Sequence, residues 1–375
     1  MAIIVLKGIS QNNVLREFSD AIAEGLRKID QTTFVTDLTL QSGFDELNAL
    51  LQREEVEGIV SFNAILGETL PDHFKIPFIG WLVDAPHYHF KRLNHTGGNR
   101  HYIFPSKHHA NYLVQGKIKA SSSTQLAGAR HWPAEVKPHS QRNHTLLLAA
   151  SWMGEPQPFW ANYTQDIAKQ VAQKIVALLD ADPRVDALKA CMTAARALGI
   201  EFKLNDSWAE LASQAQSYIR QKDRLRVVET LAQTGVPMTL IGKGWESNMR
   251  LGSHVNVIDD LDHKNILAYY ADAKVVINLN AANGASERLF DAMSMGACVI
   301  SDHSDTLLSL FKDRKDFCVF DRRRENSLSE ALHYALRHDR AESMSRRATQ
   351  MVSQQHLWEH RAAMVVNLLQ AMRPA

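Results

Sequence analysis

Asn278 to His303 reads NLNAANGASERLFDAMSMGACVISDH, and the fold is decided in this stretch. The apolar run Val275, Val276, Ile277 leads into a loop of small residues, Ala281-Ala282-Asn283-Gly284-Ala285. A helix pattern follows, with Ser286 as its cap and Leu289, Phe290, Ala292 and Met293 as its buried face. Gly296 stops that helix, and a second β-branched run, Cys298-Val299-Ile300, begins at once. Strand, small-residue loop, helix and strand make one βαβ unit with a tight entry into its helix.

Such an entry suits a phosphate. The first amides of a helix lack partners within it, and the aligned peptide dipoles leave partial positive charge at that end. Gly, Ala and Ser let an anion approach those amides closely. Arg288, in the first turn, adds a fixed charge able to take two phosphate oxygens at once. Asp291, about one turn on, is spaced to accept hydrogen bonds from the hydroxyls of a ribose. On spacing alone a second reading stays open. Small residues here also serve close packing, and Arg288 and Asp291 also fit a solvated helix face.

The rest of the chain bears on that choice. Leu240-Ile241-Gly242-Lys243-Gly244-Trp245 is a strand ending in a glycine turn, where Lys243 is placed to neutralise phosphate and Gly244 allows close backbone approach. His356-Leu357-Trp358-Glu359-His360-Arg361 opens the last helix. In this order and spacing the segments resemble the nucleotide-sugar half of GT-B glycosyltransferases, in particular the CgeB-like spore-maturation group. The shared run is Leu279-Asn280, Arg288, Asp291-Ala292-Met293-Ser294-Met295-Gly296 and Ser301-Asp302, with the Gly-x-Gly-Trp turn and the closing His-x-x-x-x-Arg. It covers roughly residues 218–370, and the N-terminal half more loosely. The family's acidic residue is usually Glu; Asp291 is one methylene shorter.

Composition sets the frame. The 375 residues suffice for two domains, and 45% apolar with 22% charged residues is ordinary for a globular protein. A formal net charge of +1 gives no global field for nucleic acid or anionic membrane, so neither partner is expected. The three cysteines, Cys191, Cys298 and Cys318, lie far apart without metal-ligand spacing and read as buried reduced thiols, which suits a cytoplasmic location. No run approaches the roughly 20 apolar residues of a membrane span, and the histidines form no convincing metal site.

In chain order, apolar strand runs at 2–7, 33–38, 56–62, 76–83, 102–105 and near 124–126 alternate with helix patterns. That is the signature of a parallel sheet covered on both faces, so 1–140 is expected to be one Rossmann-like domain. Trp81-Leu82-Val83-Asp84-Ala85-Pro86-His87-Tyr88-His89 falls beyond the carboxyl end of a strand, where open parallel sheets bind ligands. Asp84 with His87 and His89 offers a carboxylate and two imidazoles in one loop, enough for a general base and its orienting partner. The stretch also resembles a Trp-x-x-Asp-x-Pro element of CgeB-like proteins. The plainer alternative is a turn in which Asp84 caps local amides. A polar, proline-containing linker near 132–143 leads to the second domain, 145–356, with a helical insertion at about 160–215. The basic run Arg220, Lys222, Arg224, Arg226 is expected to begin the next helix.

The expected fold is therefore α/β of GT-B type: two Rossmann-like domains facing a cleft, and a C-terminal helix, 357–375, returning to the first. The resemblance implies a metal-independent glycosyltransferase that moves a sugar from a nucleotide-diphosphate sugar, UDP- or GDP-linked, to an acceptor hydroxyl or other nucleophile. No cofactor is expected beyond that substrate. The donor would be held by Lys243, Gly244, Asn283, Gly284, Ala285, Ser286, Arg288 and Asp291, with Asp84 or His87 as the catalytic base. Two rivals share the fold: a sugar- or nucleotide-binding protein without turnover, and a sugar-nucleotide epimerase.

Overall fold

The computed structural model describes residues 2–8, 14–53, 55–67, 69, 75–94, 98–129, 135–280 and 284–373. The chain divides into two units. Unit 1 comprises Met1–His131, Lys203–Asp206 and Gln355–Ala375, and unit 2 comprises Trp132–Phe202 and Ser207–Gln354. Among the described residues each unit carries a parallel six-stranded sheet.

Unit 1 runs β1 (Ala2–Lys7), α1 (Val14–Lys28), β2 (Thr33–Asp37), α2 (Gln41–Arg53), β3 (Val56–Phe62) and β4 (Phe78–Trp81). It continues through α3 (Phe90–Leu93), β5 (Arg100–Phe104), α4 (Asn111–Gln115) and β6 (Ser121–Thr124). The sheet order is β2-β1-β3-β4-β5-β6, so the order reverses between β1 and β3. Strands β1, β3 and β4 are almost wholly buried, as continuous apolar runs in a doubly covered sheet should be. The expected strand near 124–126 is instead Ser121–Thr124, a largely exposed edge strand. Its Ser-Ser-Ser-Thr sequence has no apolar face to betray it.

Unit 2 runs β7 (His144–Ala149), α5 (Asp166–Ala181), α6 (Ala187–Ala197), α7 (Asp206–Gln233), β8 (Met238–Ile241), α8 (Trp245–Asn248), β9 (Val255–Ile258) and α9 (His263–Asp272). Then come β10 (Ala273–Asn278), α10 (Glu287–Ser294), β11 (Cys298–Asp302), α11 (Asp305–Leu310), β12 (Cys318–Phe320), α12 (Ser327–Ala335) and α13 (His338–Gln355). The sheet order is β12-β11-β10-β7-β8-β9. Read from the other edge this is the 3-2-1-4-5-6 order of dinucleotide-binding sheets, with its reversal between β7 and β10. Gly296 ends α10 with φ +74°, and a Cβ there would lie 2.1 Å from Val136 Cγ1, so only glycine fits this stop.

The helical insertion differs from its expected form. There is no break near 215: α7 is one helix of 28 residues, and the basic run lies within it. Its first half buries Ala212, Ala215 and Ile219 against α5 and α6, while Val227, Val228 and Leu231 join the core of the sheet. The apolar stripe changes partner halfway, so no single face repeats along the helix and the periodicity looks interrupted.

The last helix, α14 (Trp358–Ala371), packs on α1 within unit 1. Two buried histidines of this unit make a pH prediction. Burial pushes His109 down to about 3, with His108 adding to it, and pushes His356 down to about 4, with Arg361 and His360 adding. Both values lie below the ordinary 6.5, so the unfolded chain takes up protons that the folded one refuses. The stability they confer is complete above about pH 6.5 and declines as the pH falls from there towards 4 and then 3. Each group steepens the slope by up to about 1.4 kcal/mol per pH unit. Thermal unfolding followed by tryptophan fluorescence should fall over this window, and His109→Phe should flatten the fall; equal slopes in the two proteins would refute it.

Candidate functional site

Ligands of open parallel sheets lie outside the carboxyl ends of the strands, where the strand order reverses. In unit 2 that place is the gap between β7 and β10, and an arginine closes over it. Arg288 Nη1 donates to the carbonyl of Ala149, the last residue of β7, at 2.9 Å. Its Nη2 donates to the carbonyl of Leu279, just past β10, at 3.2 Å, and Nε donates to Ser286 Oγ at 2.9 Å. The same Oγ accepts from the Arg288 amide, so Ser286 caps α10 as expected.

A second arginine reaches the same strand end. Arg224, on α7, donates from Nη1 to the carbonyl of Ser151 at 2.6 Å, two residues beyond β7. Burial pushes its guanidinium down to about 9, and the charges of Arg288 and Arg220 push the same way. It remains positive at neutral pH. Arg220 and Arg224 stand four residues apart on one helix, hence on one face. Among the described residues, the hydrogen bonds that hold Arg224 and Arg288 go to carbonyls and a hydroxyl. Like charges are thus gathered at the reversal point, and the hydrogen bonds that hold these two side chains go to neutral oxygens, which favours an anion there. The sequence offers the basic run as a solvated face with one member able to reach a diphosphate; the spacing of Arg224 from Arg220 is the signal that singles it out.

The loop between β10 and α10 is braced from beneath. Asn280 Oδ1 accepts from the Ser286 amide at 2.9 Å, while the Asn280 amide and Nδ2 donate to Asp302 Oδ1 at 2.9 and 2.7 Å. Burial pushes the Asp302 carboxyl up, opposed chiefly by Arg322. Gly284 and Ala285 lie on the approach to this cap, Gly284 buried and Ala285 partly so. Asn283 lies outside the described residues.

Two expected ligands are committed elsewhere. Asp291 is 2% exposed, and its Oδ2 lies 2.8 Å from His263 Nε2, a buried pair between α10 and α9. The ribose contact read from its spacing gives way to this pair, because the helix turns Asp291 towards its covered face. Lys243, following β8, pairs with Asp260, following β9, at 2.8 Å, and that carboxylate raises its pKa. The pair joins two strand ends on the far side of β7 from β10. Gly244 has φ +86° and precedes α8, a conformation that suits glycine.

Unit 1 carries the Asp84 loop just beyond β4. Asn63, just beyond β3, donates from Nδ2 to Asp84 Oδ2 at 3.0 Å and accepts the Val83 amide on Oδ1 at 3.0 Å. Asn63, Ala64 and Leu66 all hold left-handed backbone, with φ of +50°, +51° and +67°. Each such residue costs roughly 1–3 kcal/mol, which the surrounding bonds must offset. The Asp84 side chain is 48% exposed, and its Oδ2 lies 3.6 Å from His89 Nε2. His87 is the correction here. It is buried, and its Nδ1 lies 2.8 Å from the Tyr112 hydroxyl. Pro86–His89 is a 3₁₀ turn, and within it His89 stands beside Asp84 while His87 meets Tyr112. Asn63 escaped sequence reading, because an Asn after an apolar run reads as an ordinary turn residue.

Among the described residues no group of three or more His, Cys, Asp or Glu is arranged to hold a metal ion, and no helix is long and apolar enough to cross a membrane.

Residues 220–367, less than half of the chain, match the family model described as Glycosyl transferase-like. Comparison with curated proteins finds no match. Among solved structures, the chain is similar to sucrose-phosphate synthase from Thermosynechococcus elongatus, with TM-score 0.61 and 11% identity over 99% of both chains. It is also similar to Anabaena HepE in complex with UDP, with TM-score 0.55 and 11% identity over 99% of this chain and 100% of that one. A glycosyltransferase from Rickettsia africae gives TM-score 0.54 and 9% identity over 99% and 98%. The fold is that of GT-B glycosyltransferases, and the glycosyl transferase-like match lies within unit 2 and the last helix.

Proposed function

We propose that the protein transfers a sugar from a nucleoside-diphosphate sugar to an acceptor hydroxyl or other nucleophile, and that Arg224 and Arg288 hold the diphosphate. One observation carries this reading: guanidinium groups gathered at the β7–β10 reversal, held by neutral oxygens and repelling one another. A diphosphate there replaces repulsion with charge-assisted bonds, and its bridging oxygen takes up negative charge as the sugar departs. The arginines supply that stabilisation without a metal ion. A UDP- or GDP-linked donor is favoured, in line with the UDP and UDP-glucose seen in HepE. The motif run from Leu279 to Asp302 supports placement in the CgeB-like group.

For inverting transfer, Asp84 is the proposed base. It takes the acceptor proton as the acceptor oxygen bonds to the anomeric carbon, and the electron pair of the breaking C–O bond leaves on the diphosphate. For retaining transfer the departing phosphate takes that proton. One observation favours a binding protein without turnover as the second reading: the expected ribose ligand, Asp291, is buried against His263.

Thermal unfolding with UDP, GDP, dTDP and ADP tests the donor site. A nucleotide at about 100 times its Kd adds roughly 2.7 kcal/mol, which is about 5–10 °C for a unit of this size. One diphosphate shifting the transition while its nucleoside leaves it in place is the expected result. No shift from any of the four, in folded protein, refutes the donor site.

A further inference from the structure

We propose that Arg322 is a positioning residue for diphosphate binding: through Asp223 and Asp302 it fixes the spacing between Arg224 on α7 and Arg288 on α10. The proposal rests on the reading of those two arginines as the diphosphate site.

Arg322 lies just past β12, and its side chain is 6% exposed. Its Nη1 donates to Asp223 Oδ2 at 2.6 Å, and its Nη2 lies 3.0 Å from Asp302 Oδ2. Asp223 immediately precedes Arg224 on α7. Its second oxygen accepts from Arg323 Nη1 at 2.6 Å, so the carboxylate is fixed on both sides. Asp302, at the end of β11, accepts the amide and side chain of Asn280. Asn280 accepts the Ser286 amide, and Ser286 accepts Arg288 Nε. Hydrogen bonds, joined by the one Arg322–Asp302 ion pair, therefore run from the residue beside one phosphate arginine to the side chain of the other.

This arrangement answers a mechanical problem. Arg224 and Arg288 repel each other, and each is held at the strand ends only by neutral acceptors. Without an anion the pair tends to splay, and splayed forks cannot grip two phosphates together. Two carboxylates and two guanidinium groups close the relay with balanced charge, so it adds rigidity without cancelling the positive charge of the site. Asp223, Asp302 and Arg322 are buried, and losing Arg322 strands the buried Asp302 charge, which disfavours rearrangement. Arg322 needs its fork because one ammonium cannot bond two carboxylates on opposite sides with the same geometry.

Arg322→Lys keeps the charge and removes the fork. The probe is inorganic pyrophosphate, with phosphate as reference, titrated calorimetrically at low ionic strength. Wild type is expected to bind pyrophosphate more tightly than phosphate. Arg322→Lys should weaken pyrophosphate about tenfold while phosphate changes less than about twofold. A role in stability alone would not alter that ratio. If Arg322→Lys does not fold, Asp302→Asn serves in its place, since it keeps an oxygen for the Asn280 amide and turns the oxygen facing Arg322 into an uncharged NH2 donor, which breaks that ion pair. A folded variant with the wild-type ratio overturns the proposal, as does equal weakening of both anions. Wild type that binds no pyrophosphate overturns the donor site itself, and this inference with it.

Discussion

Replacing Arg288 with alanine is expected to lower kcat/KM for the nucleotide-sugar by about 100- to 1000-fold, the usual cost of removing one preorganised donor from a developing negative charge. Its bonds make the effect large. The guanidinium both faces the β7–β10 reversal and clasps the carbonyls of Ala149 and Leu279. Alanine therefore removes a charge and loosens the strand ends that frame it, at a further cost of roughly 1–3 kcal/mol in stability. Arg288→Lys should fall between, because an ammonium supplies charge without the fork. Asp84→Asn separates binding from chemistry in the same assay. Nucleotide release should slow by about 100-fold or more with nucleotide affinity unchanged if Asp84 takes the acceptor proton. Wild-type turnover by Asp84→Asn would remove the base from unit 1 and favour transfer in which the phosphate accepts that proton. Undiminished turnover by Arg288→Ala would sink the diphosphate assignment.

The second large effect concerns Trp358. This side chain is 3% exposed and lies in an aromatic cluster, with ring centroids 5.1 Å from Phe18, 5.6 Å from Phe62 and 5.6 Å from Trp81. It joins α14 to α1, β3 and β4 of unit 1. The fit is close: a Cβ on Gly128 would lie 2.7 Å from the Trp358 amide nitrogen, and one on Gly25 would lie 3.2 Å from its carbonyl oxygen. A neighbourhood packed this tightly collapses little around a cavity, so Trp358→Ala should cost about 3–5 kcal/mol. Against a typical total of roughly 5–15 kcal/mol that is a large fraction. Guanidinium unfolding followed through the remaining tryptophans should show the transition moved to markedly lower denaturant. A loss below about 1 kcal/mol would mean that α14 contributes little to the stability of unit 1.

The sequence by itself determined the alternation of strands and helices, the parallel sheets and the turn structure around α10. These follow from local rules. A doubly covered strand must be apolar along its length, as Val275 to Ile277 and Cys298 to Ile300 are. A helix start needs an acceptor such as Ser286, and its stop needs a residue free to take positive φ, such as Gly296. The resemblance added the expectation of a glycosyltransferase. Which charged groups meet was decided by tertiary structure alone. Helical spacing puts Asp291 on a face of α10, but His263 covers that face only because α9 and α10 pack together. Lys243 meets Asp260 because β8 and β9 are neighbours, and Arg224 meets the end of β7 because α7 continues where its apolar pattern changes partner. His87 meets Tyr112 and His89 meets Asp84 through one 3₁₀ turn. Periodicity fixes a residue against its own neighbours in the chain. The order of strands brings the carboxyl ends of β7 and β10 side by side, and that contact between segments distant in sequence makes the arginine site.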